Sequence, residues 1–165
     1  MTESSARFAF PFIVPGQAQK ELFHNEALAR VDAALHPVVE AAPATAPPVA
    51  PVPGQSWIVA TGAGGAWSGK TPAIACWTAG GWRFVQPVEG MLVWNRAAEV
   101  WMRWTGSDWS EGTLPAAALL IGGQQVVGPR LAQVPSPSGG TTIDVEARAA
   151  IAALIATLKS HGLTD

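Results

Sequence analysis

Seven of the chain's eight tryptophans lie between Trp67 and Trp109, in short β-branched and aromatic runs cut by glycine-rich turns, and there is no tyrosine. That pattern predicts an antiparallel β-meander over residues 54–112. Candidate strands are Ser56–Ala60, Ala73–Trp77, Trp82–Val85, Met91–Trp94 and Val100–Trp104. A weak internal repeat reinforces the reading. Trp77-Thr78-Ala79-Gly80-Gly81-Trp82 and Trp104-Thr105-Gly106-Ser107-Asp108-Trp109 both read as hairpins with four loop residues between flanking tryptophans. In Val100–Trp104, alternation puts Val100, Met102 and Trp104 on one face and Trp101 with Arg103 on the other. Both faces cannot belong to one small core, so some indoles are expected at the surface or at an interface.

Helices are expected on either side of this domain. Gln17–Leu35 lacks glycine and proline, and Phe23, Ala27, Leu28, Val31 and Leu35 recur at helical spacing. His36-Pro37 ends that helix, because proline disfavours the α conformation in the residue before it. From Pro37 to Pro53, six of seventeen residues are proline, which favours an extended strap. Beyond Thr113 come an apolar run, Ala116–Ile121, a Gly122-Gly123 break, a strand-like Gln124–Val127 and a Pro/Ser/Gly loop. Asp144 as N-cap, Glu146 in the first turn, Lys159 in the last and Gly162 beyond it then predict a helix over Val145–His161. Its seam, Ala147, Ile151, Leu154 and Leu158, is heptad-like and too short to stand alone in water.

The chain thus reads as mainly β with an N-terminal helix and a C-terminal amphipathic helix, α+β overall. Its parts are an N-terminal arm and helix (1–36), a Pro/Ala-rich strap (37–53), the Trp-rich β-domain (54–112), a strand and loop connector (113–143) and the C-terminal helix (144–163). A length of 165 residues fits one domain with appendages and not two independent cores.

Charged residues make up only 13% of the chain, which indicates surface covered by copies of itself or by a larger assembly. A net charge of −2 gives no basic stripe for nucleic acid. Cys76 is the single cysteine, so neither an intrachain disulfide nor a cysteine-based zinc site can form. Met1–Phe12 does not read as a signal peptide, and no window is long and apolar enough to span a bilayer. Synthesis in the cytoplasm, without membrane insertion, is the expectation.

Gly64-Gly65-Ala66-Trp67-Ser68-Gly69-Lys70-Thr71 satisfies the phosphate-binding P-loop string. The chemistry needs a helix opening at Lys-Thr so that its N-terminus cradles phosphate, but Pro72 and a strand-like run follow. A Gly-rich hairpin loop is the better reading. His24, His36 and His161 fall in or beside the terminal helices, and the sequence has no Gly-x-Ser-x-Gly nucleophile elbow. Pairs such as Glu89 with Glu99 or Asp108 with Glu111 read as solvated surface rather than glycosidase carboxylates. No enzyme activity, cofactor or metal is expected. His24 lies on the apolar stripe of the first helix and reads as a buried, hydrogen-bonded histidine at a packing interface rather than a metal ligand.

Exposed indoles beside Arg or Asp can stack on the C–H face of a sugar or anchor a subunit interface. The candidate glycan-binding residues are Trp82, Arg83, Trp101, Arg103, Trp104, Asp108 and Trp109. The candidate oligomer interface comprises His24, Leu28, Val31 and Leu35 on the first helix and Ile151, Leu154 and Leu158 on the last.

Gly16-Gln17-Ala18-Gln19-Lys20-Glu21, followed after two residues by His24-Asn25-Glu26-Ala27-Leu28, resembles the opening signature of an uncharacterised domain family. That family is encoded in prophages and gene transfer agents of alphaproteobacteria, and its proteins look like tail-fibre or spike components. The likeness continues through the strap, the Gly65–Trp67 turn and the Trp-rich meander, covering roughly residues 8–112. The ending, from Val127-Gly128-Pro129-Arg130 through Gly139-Gly140-Thr141-Thr142 to His161-Gly162-Leu163, resembles the close of such virion proteins. The family carries no established catalytic residues. What the resemblance implies is a place, the surface of a phage-like particle, and a job there: attachment to a host glycan such as capsule. The expected partners are copies of the chain, with a trimer favoured, another spike, capsid or tail protein, and cell-surface polysaccharide. The alternative is a structural adaptor with its tryptophans buried between subunits.

Overall fold

The computed structural model describes residues 4–13, 20–142 and 144–165. The chain divides into two compact units, Met1–Leu114 and Pro115–Asp165. It is α+β and mainly β, as the sequence predicts.

In the first unit, α1 spans Lys20–Ala34; the Gln17–Gln19 part of the expected helix lies outside the described residues. The strands are β1 (Val38–Val39), β2 (Ser56–Ile58), β3 (Ile74–Thr78), β4 (Gly81–Val85), β5 (Leu92–Asn95), β6 (Val100–Trp104) and β7 (Trp109–Glu111). They form a four-stranded sheet in the order β1-β5-β6-β7 and a three-stranded sheet in the order β2-β3-β4. Every pairing is antiparallel except β1 with β5.

Alternation along the strands places the core. Val39, Val93 and Met102 from the larger sheet meet Ile58 and Ile74 from the smaller, so the two sheets share one buried layer. The opposite face of the small sheet carries Trp57, Val59 and Ala75, and it is covered by Ala63 and Trp67 from the long connection after β2. Trp67 sits in a single 3-10 turn, Gly65–Trp67, and is completely buried. An indole of that size removes roughly 150–250 Å² from water, about 4–6 kcal/mol of transfer free energy.

The Pro-rich segment is laid across both sheets. Trp94 N–H donates to the Pro37 carbonyl and Arg96 N–H to Val39, which completes the large sheet. A few residues on, Glu40 N–H donates to the Ser56 carbonyl and Ala44 N–H to Ile58, which extends the small one.

The helix α1 docks through polar groups. Asn25 exchanges two hydrogen bonds with the backbone of Ile13, Glu26 pairs with Arg83 on β4, and buried Asp32 binds the arm at Ser5, Arg7 and Phe8. The Arg7 guanidinium donates to the carbonyls of Asp32, Leu35 and His36, capping the helix where its carbonyls lack partners. The apolar stripe of Phe23, Val31 and Leu35 is therefore exposed.

The second unit pairs β8 (Leu119–Ile121) with β9 (Gln124–Val127) across Gly122-Gly123, both at positive φ as a tight two-residue hairpin turn requires. The helix α2 spans Val145–Ser160, and Asp144 accepts from Ala147 N–H at its start. Ile155 is the one buried hydrophobic residue among those described in this unit. Both sheet-derived clusters belong to the first unit.

Candidate functional site

Three hairpins bring tryptophans into direct cross-strand register. Trp77 faces Trp82 with ring centroids 4.9 Å apart, Trp94 faces Trp101 at 5.3 Å, and Trp104 faces Trp109 at 5.4 Å. Threonine explains the two repeats visible in the sequence. The Thr105 hydroxyl donates to the Asp108 carbonyl and accepts from Asp108 N–H; the Thr78 hydroxyl donates to the Gly81 carbonyl and accepts from Gly80 N–H. Each repeat is a turn locked by its own threonine. In the first, Thr78 pairs with Gly81, so the open loop is the two residues Ala79-Gly80 rather than four.

The seven candidate glycan residues occupy three places. Trp82 joins a cluster with Trp57, Trp67 and Trp77, with centroids 4.9–5.7 Å from Trp82. Arg83 is held by Glu26 at 2.5 Å, and its guanidinium also donates to the carbonyls of Gly80 and Trp82. These two are architectural.

Trp104, Asp108 and Trp109 line a groove of about 330 Å³ that also takes in Thr61, Thr71 and Pro72. Trp104 is buried, and the Trp109 Nε1–H donates to the Pro72 carbonyl at 3.0 Å.

Trp101 and Arg103 lie on the outer face of the large sheet, opposite buried Val93 and Met102. Register places Trp94 beside Trp101, and Leu92 and Ser110 on either side of Arg103. Trp101 is 41% exposed and is the one exposed indole of the eight. Its neighbour is unusual in its electrostatics. Of the chain's seven arginines, Arg30, Arg83, Arg96 and Arg130 pair with carboxylates, while Arg7 and Arg148 donate to backbone carbonyls. Among the described residues Arg103 has neither kind of partner, and its Nε is buried without a hydrogen bond. Trp94 and Leu92 belong to this face as well, beyond the candidate residues of the sequence. Their signal was the alternation of Leu92 and Trp94 with Val93, which only the register against β6 turns into a shared face.

The P-loop string has no phosphate cradle. One 3-10 turn ends at Trp67, a strand begins at Ile74, and the Lys70 ammonium sits 5.2 Å from the centre of the Phe84 ring. Glu89, Glu99, Asp108 and Glu111 are all exposed. A cavity of about 910 Å³ lies between the arm, α1 and the Ala79-Gly80 turn. Three of its polar residues, Asn25, Asp32 and Arg83, are already engaged in holding the arm and helix. Among the described residues, no three of His, Cys, Asp and Glu converge as metal ligands, and no helix is long and apolar enough to cross a membrane.

The candidate interface residues are mostly open to solvent. His24, expected to be buried, is exposed because α1 docks by its polar side, and its Nδ1 lies 2.9 Å from the Lys20 carbonyl; Leu28 is half-buried, and Val31 and Leu35 are exposed. Ile151, Leu154 and Leu158 on α2 are exposed too.

Residues 24–110, just over half of the chain, match a family described as a protein of unknown function, DUF2793. The chain belongs to DUF2793. The match opens within α1 and closes within β7, so the DUF2793 region takes in both sheets, the strap and the outer face carrying Trp101 and Arg103. None of the curated proteins compared with this DUF2793 member matches it.

Proposed function

We propose that this protein is a structural and adhesive component of a phage-like particle, a spike or fibre module of a phage or gene transfer agent, that binds host surface polysaccharide such as capsule. The observation that carries the binding is the outer sheet face, where the one exposed tryptophan stands beside Trp94 and an arginine with no partner among the described residues. An indole presented on a rigid strand stacks on the apolar face of a pyranose with little ordering cost. A flat site of this kind binds weakly, and particle display compensates through multiplicity. The partners in this reading are copies of the chain, with a trimer favoured through the seam of Ile151, Leu154 and Leu158, and a capsid, tail or second spike protein. It is not an enzyme in this reading; the sheet face offers a platform, not an acid and a base.

The second reading, a structural adaptor joining a spike or fibre to the capsid or tail, draws on the exposed apolar residues of α1 and of β8, β9 and α2. One experiment separates the two. The purified protein is added to encapsulated cells and to an acapsular mutant, and its oligomer mass is measured on the same sample. Capsule-dependent binding that Trp101→Ala abolishes in a folded, assembled protein supports the adhesin. Equal absence of binding to both strains by a correctly assembled oligomer overturns it in favour of the adaptor.

A further inference from the structure

We infer that the saccharide bound on the outer sheet face is an acidic one, its anionic group pairing with Arg103 while a neighbouring ring stacks on Trp101. The inference rests on the glycan-binding reading and adds the ligand's charge to it.

Six of the seven arginines are engaged: four in ion pairs, two on carbonyls that close the end of α1 and the loop before α2. Among the described residues the cation–π contacts are Arg7 over Phe8 and Lys70 over Phe84, so Arg103 is not held by an indole face either. It is half-buried, with its Nε shielded from water and unpaired. Leaving a buried donor of a charged group without an acceptor costs folding free energy. The shielded Nε is out of a ligand's reach, but the terminal nitrogens of the same guanidinium have no partner among the described residues, and they are suited to a carboxylate or phosphate.

The neighbours complete the site. Trp101 lies two residues back on the same strand and face, Leu92 stands across the ladder on β5, and Ser110 stands across it on β7. Leu92 and Trp101 are thus apolar neighbours of Arg103 in the register, and an ion pair beside them is screened less than in open water. On β7 the Ser110 hydroxyl is joined to that of Thr113. Ring stacking along the strand and an anion contact beside a hydroxyl, all on one sheet face, match neighbouring units of an acidic polysaccharide. The groove of Trp104 and Trp109 has the opposite character: its one charged lining residue is Asp108, which disfavours an anion.

The test uses the full-length assembled protein and a set of purified capsular polysaccharides, acidic and neutral. Each acidic member is also supplied with its carboxyl groups reduced to alcohols, or with its phosphodiesters removed. Binding of the wild type, Arg103→Gln, Arg103→Lys and Trp101→Ala is measured at low and high salt. The expected result is binding to an acidic polysaccharide that falls about tenfold or more in Arg103→Gln. Removing the anion should weaken the wild type by a similar factor, with the variant then indistinguishable from it. Loss on carboxyl reduction assigns the anion as a uronate-type group, and loss on phosphodiester removal assigns it as phosphate. Trp101→Ala should lose binding to every form. Trp101-dependent binding that is indifferent to anion removal and to Arg103→Gln would overturn the acidic assignment and leave the glycan reading standing. No binding to any polysaccharide by the folded oligomer would overturn both. Chemical denaturation of each variant distinguishes lost binding from lost fold.

Discussion

Asp32 on the first helix and Ser5 in the N-terminal arm are both buried, and the Ser5 hydroxyl donates to Asp32 Oδ1 at 2.7 Å. The same carboxylate accepts from the backbone N–H groups of Arg7 and Phe8, so one side chain satisfies three donors of the arm. Asp32→Ala should therefore lower unfolding stability by about 3 kcal/mol, since it strands buried donors. Asp32→Asn should cost roughly half as much, because Oδ1 keeps its two donors and only Arg7 N–H meets an amide nitrogen. Urea unfolding checks both, and a loss under about 0.5 kcal/mol for the alanine variant would show that the arm is not clamped there.

Trp67 and Trp101 separate packing from display. Trp67→Ala should destabilise the protein by about 3–5 kcal/mol through the cavity it leaves between the small sheet and the loop above it. Trp101→Ala should cost about 1 kcal/mol, the worth of its edge contact with Trp94. Equal losses in thermal or chemical unfolding would contradict this division.

Lys70 is predicted to have no part in nucleotide binding. Titration calorimetry with Mg-ATP should give no saturable heat in the wild type. Lys70→Ala should cost about 0.5–1 kcal/mol of stability through the lost contact with Phe84. Saturable ATP binding that the substitution removes would refute the structural role.

Burial pushes the Cys76 thiol above the ordinary range. A raised thiol pKa means that the unfolded chain loses its proton first. The contribution is complete below about pH 8.5. Above that, stability should fall by about 1.4 kcal/mol per pH unit until the folded thiol itself ionises. The absence of tyrosine removes phenol titration from the alkaline range. Cys76→Ala should flatten this limb of the stability curve; an unchanged slope would assign it to other groups.

Much of the fold was legible because it is local. The strands Val100–Trp104 and Gln124–Val127 and the start of α2 at Val145 coincide with their sequence signals of alternation, glycine punctuation and capping. The strap was harder, since nothing near Val38 announces that its partner is β5, more than fifty residues away. The seating of α1 was hidden for the same reason: the groups that turn its polar side inward are Ser5, Arg7 and Arg83, distant in sequence. Of the site, the division of β6 into a Trp101–Arg103 face and a Met102 face followed from alternation alone. That Arg83 is spent on Glu26 while Arg103 is unspent follows only from tertiary contacts.

The three cross-strand indole pairs also make the molecule its own optical gauge. Rings held 4.9–5.4 Å apart at 59–71° couple their transition dipoles, which gives circular dichroism signals that isolated tryptophans lack. The two pairs of the large sheet can be dissected by removing one ring at a time, whereas Trp82 of the small sheet also meets Trp57 and Trp67 and reports on that whole cluster. Only the pair containing Trp101 faces solvent with an exposed ring. A ligand settling on the outer face should perturb that component alone, without any label being attached.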